Sequence, residues 1–170
     1  MTTRVISALL DAMEPPDAAS GRGDDRGAAA AGPESVTDEV LASLLNAARV
    51  APSANNYQTW RFVTIRDNDD KRALGQMLTD ARGENTGAAF AGSDVVIILC
   101  GVPKLISRAR KQQPFVFFDV PIALTHVLLG AAELALAHCW TLQVPEQGIR
   151  ERFWIPKDVR VIAVVGLGKA

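Results

Sequence analysis

A long apolar segment at residues 119–136 constrains the fold of this chain more than any other feature. Asp119 can cap a helix there, and Pro121 suits the first turn of a helix. From residue 122 onward, the main interruptions of the apolar pattern are Thr125, His126 and Glu133. A helix that is apolar on every side must be buried on every side. In a chain of 170 residues, this predicts that a second subunit covers part of the helix, and therefore a homodimer.

The remaining periodic segments predict an α+β fold in a single domain that spans residues 1–170. Strand patterns occupy residues 60–65, 95–99, 139–144 and 159–165. Helical patterns run from Val5 to Met13, from Ser35 toward Pro52, from Asp69 toward Ala81 and from Glu146 to Phe153. Helices and strands do not alternate strictly, which favours the α+β class.

Three segments have no strong periodicity. Residues 17–32 contain no large apolar side chain, which predicts a flexible loop or linker inside the domain. Residues 83–92 are dominated by small residues and are also predicted to form a loop. Residues 104–113 form a basic and weakly helical stretch.

Charge and apolar patterning exclude several classes of partner. Eighteen basic and nineteen acidic residues give a net charge of −1, so nucleic acid is not an expected partner. No uninterrupted apolar run approaches the ~20 residues of a membrane helix, and the first residues lack the order of a signal peptide. Cys100 and Cys139 lie in apolar strand-like runs, where a free cysteine behaves as a small hydrophobe. These features predict a cytoplasmic protein without membrane contact.

Neither a nucleophile–base pair nor a metal site is evident in the sequence. His126 lies on the apolar helix, where we expect it to bond within the core or an interface. His138 falls near a helix end, where the helix dipole favours its proton. The two cysteines are too isolated to suggest metal ligands. Bound-cofactor chemistry remains, in which the protein holds, orients and tunes an organic ring.

The connector Ala51-Pro-Ser-Ala-Asn-Asn-Tyr-Gln-Thr-Trp60 follows a predicted helix and precedes a predicted strand. Its small polar side chains are Ser53, Asn55, Asn56, Gln58 and Thr59. This hydrogen-bonding capacity exceeds what a turn needs, and it suits a flat ligand with polar edges. In a purely structural interpretation, Ser53 and one asparagine merely end the helix and cap a turn. The residues alone leave both interpretations open.

This connector resembles the signature of the FMN-dependent nitroreductase family, in which a Pro-Ser pair is followed by Asn, Gln and Trp. The matching residues are Pro52, Ser53, Asn56, Gln58 and Trp60. Thr59 stands where the family usually has proline. A second, looser similarity runs from Asp119 through Cys139-Trp140 to a final strand at residues 161–166. The resemblance covers residues 33–168, which is most of the chain.

The resemblance implies a nitroreductase-like fold, with a central mixed but mainly antiparallel sheet flanked by helices and a long buried helix at a dimer interface. It also implies FMN as cofactor and NAD(P)H as electron donor, with hydride passing through flavin N5 to a small acceptor in a ping-pong reaction. No side chain is implied as a catalyst; the backbone around Thr141 and Leu142 is expected near N5. The implied cofactor-binding residues are Pro52, Ser53, Ala54, Asn56, Gln58, Trp140, Thr141, Leu142 and Gln143.

The phosphate of FMN requires cations, and the family usually supplies an arginine-rich block before the position of Pro33. Here that block is replaced by an alanine-rich stretch in which Arg26 is the expected cofactor-binding cation. Three interpretations therefore remain open. The first is an FMN-dependent oxidoreductase, and the second is a nitroreductase-like protein that has lost flavin and serves as a binding or structural module. The third is a subunit that needs a protein partner to bind flavin, or a flavin-handling enzyme with another reaction.

Overall fold

The computed structural model describes residues 35–78, 86–103 and 115–169. Four predictions lie outside these residues: the first helix, the flexible segment 17–32 with Arg26, the end of the helix toward Ala81, and the basic stretch 104–113.

A four-stranded sheet forms the centre of the fold, with the spatial order β1-β2-β4-β3. The strands are β1 (Trp60–Ile65), β2 (Val95–Gly101), β3 (Ala137–Thr141) and β4 (Arg160–Gly168). All pairings within the described sheet are antiparallel. The predicted α+β class and mainly antiparallel sheet are therefore confirmed.

Helices cover both faces of this sheet. They are α1 (Asp38–Arg49), α2 (Asn68–Met77), α3 (Gly87–Ala91), α4 (Val116–Glu133) and α5 (Glu146–Arg152). One apolar core lies between the sheet and helices α1 and α4, and it contains Val95, Ile97 and Leu99. The second core contains Val96, Ile98 and Cys100, with residues of α2, α3 and α5. Every residue of β2 is buried, because alternate side chains of this strand enter opposite cores.

The expectation of a loop at residues 83–92 was wrong in part, because α3 lies within this segment. Phe90 is buried there, and the backbone of Gly87 packs against that of Gly75 on α2. A Cβ atom on Gly75 would lie only 2.6 Å from the carbonyl oxygen of Gly87. This close approach joins α3 to α2 and depends on two glycines, so the local sequence pattern did not reveal it.

The apolar helix α4 begins at Val116, three positions before its expected cap, and its N-cap residue is Phe115. Asp119 therefore lies inside the first turn rather than at the cap, and it is buried. Among the described helices, α4 is long and apolar enough to cross a membrane. The core helix of a globular protein has the same length and composition, so this property alone is weak evidence for a membrane span.

Candidate functional site

The connector between α1 and β1 holds an unusual backbone conformation. Residues Ala54–Asn56 form a 3-10 turn, in which Asn55 and Asn56 have φ angles of 49° and 56°. Gln58 also has a positive φ, of 49°. Non-glycine residues rarely adopt this left-handed region, and such conformations cluster where a loop has a function. Asparagine tolerates the region better than most residues, which explains the two adjacent asparagines.

Asp119 anchors this connector from the first turn of α4. Its Oδ1 atom accepts a hydrogen bond of 2.9 Å from the backbone N–H of Ala54. Its Oδ2 atom accepts a hydrogen bond of 3.4 Å from the hydroxyl of Thr59. Asp119 is only 2% exposed, so solvent hardly competes for these bonds. Both ends of the strained turn are therefore fixed to one carboxylate. Thr59, which stands where the family usually has proline, provides one of the two hydrogen bonds.

Two further hydrogen bonds shape the connector from within. The Ser53 hydroxyl accepts the backbone N–H of Gln58 at 3.0 Å, which supports the structural interpretation for this serine. The side-chain amide of Gln58 donates to the amide oxygen of Asn56 at 3.2 Å. Both amide side chains are exposed. The side-chain N–H groups of Asn56 and the side-chain oxygen of Gln58 have no hydrogen-bond partner among the described residues.

The second predicted segment, residues 140–143, lies at the same end of the sheet. Trp60 at the start of β1 pairs with Gly101, and Gly101 pairs with Arg160 at the start of β4. Because the order is antiparallel, the end of β3 at Thr141 lies at this end too. The two segments occupy opposite edges, separated by three strand spacings or roughly 14 Å. The sheet therefore brings them to one side of the molecule without placing them in contact.

The four residues of the second segment differ in their availability to a ligand. The Thr141 hydroxyl accepts the backbone N–H of Gln143 at 3.0 Å, so this N–H is already engaged. The backbone N–H of Leu142 has no hydrogen-bond partner within the described part of the chain. The side chains of Trp140 and Leu142 are exposed. This segment therefore presents one unpaired N–H donor beside two apolar surfaces.

The first turns of α4 lie between the two segments. Asp119 reaches the connector, whereas Phe117 and Pro121 line a cavity of about 320 Å³ together with Leu142. The other residues around this cavity are Val144, Glu146, Arg160, Val161 and Ile162. One helix end therefore bonds the connector and lines a cavity shared with the second segment.

An ion pair forms the polar side of this cavity. The Arg160 Nε atom donates to Glu146 Oε1 at 2.7 Å, and the backbone N–H of Val161 donates to the same oxygen at 3.1 Å. Burial alone raises the pKa of Glu146, but these hydrogen bonds and the charges of Arg160 and Arg150 outweigh it and hold the pKa below its ordinary value. The hydrogen bond from Arg160 to Glu146 raises the pKa of Arg160 in turn. Both groups are therefore ionised at neutral pH.

Sequence reasoning missed Asp119 as an anchor and the pair of Glu146 and Arg160. The local sequence pattern predicts Asp119 as the cap of its own helix. Its actual partners lie about 60 positions earlier in the chain, so a local pattern could not indicate them. Arg160 and Glu146 lie on separate elements, 14 positions apart. A charged residue at the first position of an otherwise apolar strand was the available signal for Arg160.

Histidines, cysteines and acidic residues form no metal centre in the described ranges, where no three of them cluster. The Nδ1 atoms of His126 and His138 lie 3.1 Å and 3.3 Å from the carbonyl oxygens of Ala47 and Leu136. His126 thus bonds within the fold, as expected. Cys100 and Cys139 are free thiols.

Comparisons with known proteins identify the family and the fold of this chain. The model of the nitroreductase family matches residues 31–169. A relative from Archaeoglobus fulgidus, provisionally named NADH dehydrogenase/NAD(P)H nitroreductase, is 29% identical over 139 residues, or 78% of this chain and 74% of that protein. A nitroreductase family protein from Clostridium novyi NT has the same fold, with a TM-score of 0.70, 24% identity, and coverage of 78% of this chain and 74% of that one.

A second solved structure, described as an oxidoreductase containing FMN, is 26% identical. It superposes with a TM-score of 0.62 and covers 78% of this chain and 67% of that one. The family match spans both candidate segments and all of the described sheet. This chain therefore belongs to the nitroreductase family.

Proposed function

We propose that this protein is an FMN-dependent NAD(P)H oxidoreductase that reduces a small electron acceptor. The observation that carries the proposal is the strained connector, which Asp119 fixes so that Asn56 presents amide donors and Gln58 presents an acceptor. The pyrimidine edge of a flavin alternates carbonyl acceptors with an N–H donor. Side-chain amides are the natural partners of such an edge.

The second segment fits the other requirements of the ring. Leu142 would donate its unpaired backbone N–H near N5, and Trp140 and Leu142 would give apolar cover. Bound FMN would supply the hydride-transfer chemistry, so the chain needs to bind, orient and exclude water. Pro52, Ser53 and Ala54 set the shape of the connector, while Thr141 holds Gln143 in place. Arg26 is the proposed phosphate partner, on the basis of its sequence position.

We also propose that the site is completed by a second copy of the chain. The two segments lie on opposite edges of one sheet, so a single ligand would reach both more readily across an interface. The outer side of α4 offers Phe118 and Ile122, which are 55% and 38% exposed in the single chain. Large apolar side chains that are exposed along one helix favour association. The hydroxyl of Thr125, on the same side, donates a hydrogen bond to the carbonyl oxygen of Pro121 in its own helix. It therefore needs no polar partner from a second chain.

The absorbance spectrum tests the cofactor. Purified protein would be mixed with excess FMN, desalted and scanned for the two flavin bands. We expect about one flavin per chain and reduction of these bands by NADH or NADPH without oxygen. A protein that stays colourless would contradict the proposal and favour the flavin-free module. A protein that gains colour only from a cell extract would favour the subunit that needs a partner.

The substitution Asn56→Gly tests the site itself. Glycine accepts a positive φ freely, so this change removes the amide without adding backbone strain. We expect flavin to bind about tenfold more weakly, which corresponds to about 1.4 kcal/mol. Asn46→Ala, on the exposed side of α1, is the matched control and should bind FMN normally. Equal affinity in both variants would refute the assignment of Asn56.

The oligomeric state tests the second copy. Sedimentation or light scattering should give the mass of a dimer for the wild type. Ile122→Glu places a charge on the outer side of α4 and should give monomers with little bound flavin. Ala42→Glu, on an exposed position of α1, should remain dimeric. A wild-type monomer that binds FMN fully would remove the role of the second copy.

A further inference from the structure

The cavity beside Leu142 combines an apolar wall with a fixed cation. Phe117, Pro121, Leu142 and Val144 form most of the wall, and Arg160 and Glu146 form the polar side. Its volume of about 320 Å³ lies at the lower end of the range for small-molecule sites. Phe117 and Leu142 are also partly exposed to solvent, so the wall is accessible from outside the molecule. The cavity thus has room for a ligand of about one aromatic ring.

Arg160 is oriented by two contacts that leave its terminal nitrogens available. Its Nε atom is bound to Glu146 at 2.7 Å. Its guanidinium carbon lies 5.1 Å from the centre of the Phe117 ring, a distance at which the cation and the ring attract each other. The two terminal nitrogens have no hydrogen-bond partner in the part of the chain that the structure describes. A guanidinium held in this way can accept a planar anion on its free side.

The charge around the cavity also favours an anion. The Oε1 atom of Glu146 accepts hydrogen bonds from Arg160 Nε and from the backbone N–H of Val161. The Nη1 atom of Arg150 lies 3.7 Å from the same oxygen. Two guanidinium groups therefore face one carboxylate, which leaves a net positive charge. The contacts of Glu146 with Arg160, Val161 and Arg150 all go to this one oxygen, so the protein itself neutralises the carboxylate. An incoming carboxylate would meet Arg160 rather than an unneutralised acid.

We propose that this cavity binds small aromatic carboxylates, with the carboxylate on the terminal nitrogens of Arg160 and the ring against Phe117 and Leu142. Leu142 belongs to the segment that is proposed to lie near the flavin. The role of the ligand as electron acceptor therefore rests on the proposed function, whereas its binding does not. The cavity then selects acceptors that carry a carboxylate on an aromatic ring.

Calorimetric titration with benzoate and with benzamide tests the binding site without any turnover. The two probes have the same ring and similar shape, but only benzoate is charged. We expect benzoate to bind about tenfold more tightly than benzamide, because a charge-assisted hydrogen bond to Arg160 adds affinity of about this size. Arg160→Gln should abolish this preference, whereas Arg72→Gln, an exposed arginine on α2, should keep it.

A second variant separates the wall from the charge. Phe117→Leu keeps an apolar surface but removes the ring, so it should weaken both probes alike and preserve the preference for benzoate. Thermal unfolding of each variant shows that it is folded. Equal binding of benzoate and benzamide to the wild type, binding of neither, or an unchanged preference in Arg160→Gln would each overturn the proposed site.

Steady-state kinetics with para-nitrobenzoate and para-nitrobenzamide test the role as acceptor. In flavin-loaded protein, Arg160→Gln should raise KM for the nitrobenzoate about tenfold and leave KM for the amide unchanged. A colourless protein that still binds benzoate through Arg160 would retain the site and contradict the oxidoreductase function. A flavin-loaded protein that reduces both acceptors alike would retain the function and overturn the site.

Discussion

Asp119 accepts a hydrogen bond from the buried hydroxyl of Thr59, at 3.4 Å and across 60 positions of the chain. The same carboxylate also holds Ala54. Helix α4 and the connector before β1 are therefore joined by one side chain. Since α4 is fixed in turn by the apolar core, the shape of the connector depends on packing far from its own sequence.

Removal of this carboxylate should destabilise the fold. Asp119→Ala leaves the Ala54 N–H and the Thr59 hydroxyl buried without partners, which should lower the free energy of unfolding by about 1–3 kcal/mol. Thr59→Val keeps the shape of the side chain and removes only one donor, so a smaller loss is expected. Denaturant titration measures both, with the exposed Thr64→Val as control. An Asp119→Ala variant as stable as the wild type would contradict the anchoring role.

The position of α4 over the end of β2 depends on Gly101. A Cβ atom there would overlap Cγ2 of Val116 and lie 3.1 Å from Cγ2 of Val120. Gly101→Ala should therefore cost about 1–3 kcal/mol, because valine side chains are stiff and the core is close-packed. Adding Val116→Ala should restore part of the loss. If the double variant loses more free energy of unfolding than the two single variants lose together, the overlap is not the cause.

Cys100 should resist alkylation in the folded protein. Burial, with a smaller contribution from the charge of Glu146, raises the pKa of its thiol from 9.0 to about 12. The thiolate is the reactive form, so iodoacetamide at mildly alkaline pH should modify Cys100 only after denaturation. Peptide mass spectrometry measures this, and denatured protein is the control. Rapid native modification of Cys100 would show that β2 opens locally.

The same pKa predicts a loss of stability in strong alkali. The folded state holds the proton of Cys100 more tightly than the unfolded state does. This contribution is fully present below pH 9.0, the ordinary pKa, and is lost as pH rises toward about 12. Cys100→Ala should show a weaker decline over this interval. A parallel decline in both proteins would assign the alkaline loss to other groups.

Glu146 should contribute stability that disappears in acid. Its pKa lies below the ordinary value of 4.5 in the folded state, so the unfolded chain takes up the proton first as pH falls. The contribution is present above pH 4.5 and is lost as pH falls through the folded pKa. The stability difference between wild type and Glu146→Gln, followed by denaturant titration against pH, should therefore shrink in acid. A constant difference would contradict this origin.

The sequence predicted those features that depend on local pattern. The uniformly apolar run at residues 95–99 correctly indicated a strand buried on both faces, and the apolar segment before residue 136 correctly indicated a long helix. Local pattern could not place Asp119 against the connector, because its two partners are distant in the chain. It also could not reveal α3, whose packing requires the backbones of Gly75 and Gly87 to touch.

The candidate site was predictable only at the level of segments. Resemblance selected residues 52–58 and 140–143, and the fold carries both to one end of the sheet. The sequence did not distinguish the engaged N–H of Gln143 from the unpaired N–H of Leu142, because this depends on the side-chain rotamer of Thr141. The cofactor-binding roles of these residues stay predictions.

The left-handed backbone of the connector has a consequence for engineering. Asn55 and Asn56 hold φ angles that glycine would adopt without strain. A selection for thermal stability alone would therefore favour glycine at these two positions and would discard the amide groups together with the strain. Variants of this protein that gain heat resistance at the connector should lose ligand affinity, which is the trade-off expected where function maintains an unfavourable conformation.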